Sequence, residues 1–134
     1  GFHVHPAVIR QAYARLGGER LILVSDNVMM AGLPDGAYVM DGVKSVIRDG
    51  ASRLEDGTIN GGTHDLFYCG KQALSFGIPP LAAWKMASLT PAGRIGAAGE
   101  IGTLEVGKRA DCLVLGEDGG LRLVFAGGRK IEVG

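Results

Sequence analysis

The residues that could do chemistry begin with Asp26. It stands directly after the apolar run Leu21-Ile22-Leu23-Val24 and Ser25, where a strand should end and a loop begin. A second apolar patch, Val28-Met29-Met30, follows it. Apolar neighbours on both sides would desolvate the carboxylate, raise its pKa and suit it to general-base work. The competing reading is structural, because an Asp after a strand often makes an Asx turn. His3 and His5 form an H-x-H pair, and alternation puts both on one side of an extended chain. Such a pair suggests zinc, yet two histidines leave a tetrahedral site incomplete and His64 is the remaining histidine of the sequence. In the alternative, His5 caps or lines a helix start and His3 is a polar pocket residue. Asn60-Gly61-Gly62-Thr63 reads as a glycine-rich loop whose backbone N–H groups could hold an anion or sugar hydroxyls. Lys71, Lys85, Arg94 and Lys108 read as solvated charges rather than a phosphate clamp. Cys69 and Cys112 lack CxxC spacing and read as reduced, mostly buried residues of a cytosolic chain.

These groups need elements to position them. Phe2 to Val4 reads as a short strand. His5-Pro6 opens a helix in which Val8, Ile9, Ala12, Tyr13 and Leu16 recur at helical spacing, and Gly17-Gly18 ends it. Arg20 to Val24 reads as a strand buried on both faces. Strand, helix, strand with short joints favours a parallel sheet, and functional groups gather at the C-terminal ends of such strands. His3 and Asp26 would then lie close together. Turns at Asp41-Gly42, Asp49-Gly50 and Asp56-Gly57 predict a small antiparallel excursion over residues 36–54. Helices are predicted from Asp65 to Phe76, from Pro79 or Pro80 through Ser88, and from Pro91 with Thr90 as its cap. The tail is β again: Asp111 to Leu115, Leu121 to Ala126 and Arg129 to Val133, with Gly127-Gly128 as a turn.

Length and composition set bounds. The chain has 134 residues, with 14 Lys plus Arg against 14 Asp plus Glu. That balance argues against nucleic-acid and polybasic-membrane partners. No apolar run approaches the ~20 residues needed to span a bilayer. The 23 glycines require frequent turns. The opening GFHVHP has no signal-peptide pattern and reads as the start of a piece of something larger.

Several blocks together resemble the N-acetylglucosamine-6-phosphate deacetylases of the amidohydrolase superfamily. They are Gly1-Phe2-His3-Val4-His5-Pro6, LVSDNVMMAGLPDG (Leu23–Gly36), EDGTINGGTHD (Glu55–Asp65), MASLTPAGRIG (Met86–Gly96) and IGTLEVGKRADCLVL (Ile101–Leu115). The resemblance covers the whole chain, but only the C-terminal third or so of such an enzyme. It implies an α/β fold, the C-terminal part of a (β/α)8 TIM-type barrel plus returning strands of a small β-sandwich. On that reading residues 1–100 carry strands 7 and 8 with the helices that follow, and residues 101–134 carry the sandwich strands. A complete barrel needs about 250 residues, more than this chain has.

The same resemblance implies that Asp26 is the catalytic aspartate and His3 a substrate-contacting histidine. Phe2, Ile59, Asn60 and Gly61 match backbone loops that touch substrate. It implies a divalent metal, usually zinc, which binds the attacking water while Asp26 takes the proton and passes it to the amine. The metal ligands of such enzymes lie on upstream segments, so none is expected here and the isolated chain is expected to be inactive. The products would be acetate and glucosamine 6-phosphate. Three positions depart from the pattern: His64 within Thr63-His64-Asp65, Asn60 in place of a small residue, and Ser25 in place of Thr. For His64 the favoured reading is that it points to solvent. Two rival readings are a different N-acyl substrate and a non-catalytic assembly or binding module. A cytoplasmic homo-oligomer acting on an amino-sugar phosphate is expected, with self-association through exposed sheet edges.

Overall fold

A computed structural model describes residues 1–132. The chain divides into two compact units, one from Gly1 to Ala87 and a second from Ser88 onward.

In the first unit α1 spans Pro6–Leu16. His5 is its N-cap and accepts the Ala7 N–H at Nδ1, 3.2 Å away. Pro6 occupies the first helical position, where its missing N–H costs nothing. Gly17 turns the chain at φ 67, and its N–H closes the helix on the Tyr13 carbonyl at 2.8 Å. The next segment, Leu21 to Val24, does not form the expected strand, and neither does Phe2 to Val4. A strand exists only with a partner ladder, and here the Leu23 N–H turns instead to the Met86 carbonyl at 3.0 Å. Among the described residues, parallel pairing appears as an isolated bridge outside both expected strands, Asn27 with Gly62.

The antiparallel excursion is larger than expected. It comprises β1 (Gly36–Met40), β2 (Val43–Arg48), β3 (Ala51–Leu54) and β4 (Ile59–Gly62), in that order across one sheet. Its first two turns, Asp41-Gly42 and Asp49-Gly50, have positive φ at both residues. That geometry matches the twist of a tight hairpin and explains the Asp-Gly pairs. The third turn is held by the Thr58 N–H donating to Asp56 Oδ1 at 2.9 Å. Ile47, Ala51, Ser45 and Ser52 are buried on the sheet. Ser52 Oγ has no hydrogen-bond partner among the described residues.

Next come α2 (Leu66–Ser75) and α3 (Pro80–Ala87). Asp65 caps α2 by accepting the Tyr68 N–H at 2.7 Å. The core of the unit is Ala73, Ile78, Ala83 and Met86, with Ile9, Tyr13, Leu21 and Leu23 packed on it. Burial of Leu21 and Leu23, not strand pairing, is what holds the segment before Asp26.

The second unit opens with α4 (Leu89–Arg94), which starts before Thr90 rather than after it. It continues with β5 (Cys112–Leu115), β6 (Leu121–Ala126) and β7 (Arg129–Ile131) as an antiparallel sheet. Gly127 and Gly128 make the β6–β7 turn, and Asp111 Oδ1 accepts the Gly127 N–H at 2.6 Å. Val133, expected in the last strand, lies outside the described residues. Both cysteines are free and half-buried rather than buried. No helix among the described residues is long and apolar enough to cross a membrane.

Candidate active site

Asp26 and His3 meet. His3 Nε2 lies 3.3 Å from Asp26 Oδ2, the reach of an ion pair when the ring is protonated. They come from opposite ends of one excursion of chain. His3 precedes α1, and Asp26 follows the extended segment that returns from it. Both line a cavity of about 430 Å³ with Phe2, Val8, Leu23 and Phe76. The pair therefore sits at the rim of an apolar hollow, the setting of many small-molecule sites.

The apolar flanks do not desolvate Asp26 as its sequence context predicts. Its side chain is 65 % exposed. Val24 and Met29 are themselves each 70 % exposed, while Leu21, Leu23 and Met30 turn to the interior rather than toward the carboxylate. Adjacency in sequence misled here because the segment is neither helix nor strand, and its apolar neighbours do not face the carboxylate.

The backbone at Asp26 has φ 50, a left-handed conformation that Asp tolerates better than most residues. The edge of β4 holds it there. The Gly62 N–H donates to the Asp26 carbonyl at 2.7 Å, and the Val28 N–H donates to the Gly62 carbonyl at 3.0 Å. The stretch read as an open glycine-rich loop is thus largely a strand, and the Gly62 and Thr63 amides are already engaged, by Asp26 and Gly50. Ile59 and Asn60 lie further along β4, and Asn60 Nδ2 donates to Ser45 Oγ at 3.4 Å, across the sheet. The structure brings together Phe2, His3 and Asp26 in the cavity and sets Gly61 beside Asp26 from behind. It does not bring Ile59 or Asn60 to the cavity wall.

His64 does not point into bulk solvent. It lines the same cavity and stacks on Tyr68, with ring centroids 3.8 Å apart and planes inclined by 24°. The available signal was positional: the residue sits between the end of β4 and the Asp65 cap, where little chain is free to swing away. Lys85 and Lys108 are not loose solvated charges either. Lys85 pairs with Glu19, and Lys108 with Glu105 at 3.4 Å and Thr103 at 2.6 Å. His5, by accepting the Ala7 amide, serves the helix.

A zinc centre of the hydrolytic kind takes three protein ligands and a water. The described residues contain no group of three or more His, Cys, Asp or Glu suited to a metal. Among the described residues Asp26 and His3 alone do not complete such a set.

Residues 12–131 match the amidohydrolase family. The chain belongs to that family. Amidohydrolases are hydrolases and generally depend on a metal. One amidohydrolase relative, the N-acetylglucosamine-6-phosphate deacetylase of Vibrio furnissii, is 33% identical over 98% of this chain and 33% of its own length. A putative N-acetylgalactosamine-6-phosphate deacetylase of Escherichia coli K12 is 35% identical over 92% of this chain and 72% of its own. Among solved structures, the N-acetylglucosamine-6-phosphate deacetylase of Pasteurella multocida superposes with a TM-score of 0.89 at 28% identity, covering 98% of this chain and 35% of that one. A Mycobacterium smegmatis mutant enzyme, solved with N-acetyl-D-glucosamine-6-phosphate, gives 0.86 at 28% identity over 96% of this chain and 35% of that one. The chain thus spans about a third of the length of most of these relatives. Mixed helix and sheet place it in the α/β class.

Proposed function

We propose that this chain is the C-terminal portion of an N-acetylglucosamine-6-phosphate deacetylase, hydrolysing the acetamide to acetate and glucosamine 6-phosphate. The observation that carries the reading is the His3–Asp26 pair at 3.3 Å on the rim of an apolar cavity, in a chain of this family. Asp26 accepts the proton of the attacking water and returns it to the leaving amine. Its exposure leaves room for substrate to cover it. His3 donates to the substrate and orients the carboxylate. Phe2 supplies an apolar wall, and Ile59, Asn60 and Gly61 are assigned to the substrate's outer contacts. A divalent metal, zinc by the family's habit, takes its ligands mostly from outside this chain.

On this reading residues 1–100 are the closing strands and helices of a (β/α)8 barrel, and residues 101–134 are strands of a small β-sandwich. The protein is a cytoplasmic homo-oligomer. A second reading, N-acetylgalactosamine 6-phosphate as substrate, is favoured by the E. coli relative at 35% identity. The two sugars differ only in the configuration at C4, remote from the scissile amide.

Acetate release from both sugar phosphates, measured on the longest protein product that carries this sequence, tests the reading. Turnover is expected with at least one epimer, and Asp26→Asn should lower kcat by about 10²- to 10⁴-fold. An unchanged rate in that variant would refute the role of Asp26. The 134 residues alone, supplied with zinc, should give no turnover.

A further inference from the structure

We infer that β4 is a backbone clamp that aims Asp26 at His3, with Gly61 and Gly62 as its positioning residues. The inference rests on the proposed role of Asp26 but concerns a different task, the positioning of that carboxylate.

Asp26 is held at φ 50, which costs an L-residue free energy unless its surroundings enforce it. Two hydrogen bonds enforce it, Gly62 N–H to the Asp26 carbonyl at 2.7 Å and Val28 N–H to the Gly62 carbonyl at 3.0 Å. They bracket Asn27, the partner of Gly62 in the parallel bridge, and so fix the peptide planes on both sides of it. No side chain fits between the two segments. A Cβ on Gly61 would lie 2.7 Å from the Asp26 carbonyl oxygen and 2.9 Å from Val28 Cγ1. A Cβ on Gly62 would lie 2.8 Å from the Ser25 carbonyl oxygen. Gly61 also has φ 152, open to glycine and rare for other residues. The nearest obstacle at each position is a backbone oxygen, so a methyl group at either must push the Asp26 segment away. Because β4 is the last strand of the β1–β4 sheet, the whole sheet backs the carboxylate.

Three measurements on the longest protein product that carries this sequence test this. In the wild type the Gly62 and Val28 amides should exchange with deuterium at least 100-fold more slowly than unstructured amides. In Gly61→Ala the ring nitrogen shifts of His3, which report its contact with Asp26, should move to those of Asp26→Asn. The same variant should lower kcat about tenfold or more, with KM changed less than threefold. Gly57→Ala is the control: it strains a turn at φ 84 in the same sheet, with no atoms near the added carbon, and should leave the His3 signals at wild-type positions. Unprotected Gly62 and Val28 amides overturn the clamp, as does a folded Gly61→Ala with wild-type His3 signals. If Gly61→Ala does not fold, amide exchange in the wild type decides alone. Absence of deacetylation with the His3 shifts as expected would sink the proposed function and leave the clamp standing.

Discussion

Asp26 and His3 were legible in the sequence as the two groups that a strand–helix–strand path would bring together, and they lie 3.3 Å apart. Their surroundings were not legible. Apolar letters around Asp26 predicted a dry carboxylate, but Val24 and Met29 point away from the core and the group is well exposed. His64 was misplaced because one histidine in a short connector carries no period to orient it. Cys69 offers a further residue-scale test. Burial pushes its thiol pKa up, and the nearby Asp65 charge adds to the effect. Only the thiolate reacts with alkylating agents. Iodoacetamide at pH 8 should therefore modify Cys69 more slowly than it modifies glutathione, and the lag should shrink as the pH rises. A rate equal to that of the free thiol would contradict the burial described for this side chain.

Helices were read well because their caps and spacing are local. Pro6, the Gly17 stop and the Asp65 cap each act within a turn or two of their own position. The β6 strand, Leu121–Ala126, was likewise plain from its apolar run and the glycine turn after it. Reading failed where an element depends on a distant partner. Leu21 to Val24 looks like a strand by composition, yet strandhood belongs to a ladder and not to a run of letters. β4 was missed for the opposite reason: Ile59-Asn60-Gly61-Gly62 has poor strand propensity and forms a strand because β3 pairs with it and Asp26 closes over it. Within this sheet Ser52 gives a prediction of its own. Its buried hydroxyl has no partner among the described residues. A buried polar group without a hydrogen bond is a cost. Ser52→Ala should therefore be neutral or stabilising by up to about 1 kcal/mol in urea unfolding. A loss of more than that would show that the hydroxyl is bonded.

The exposed apolar side chains bear on how the 134-residue chain behaves as a whole. Ile22, Val24 and Phe2 stand open beside the cavity, and the extended segment between Leu21 and Val24 has no ladder. Unpaired extended backbone flanked by apolar groups is a template for association. Sedimentation of the isolated chain should show self-association at micromolar concentration, and a clean monomer would count against it. The Asp41-Gly42 turn, by contrast, stands clear, with no atoms near Gly42. Exposed turns of this kind tolerate breaks in the chain. Severing the polypeptide there leaves Asp26 on one piece and Gly62 on the other. The bonds between them then become a latch across the cut, and rejoining the two halves of a split version would rebuild the geometry at the carboxylate together with the β1–β2 ladder.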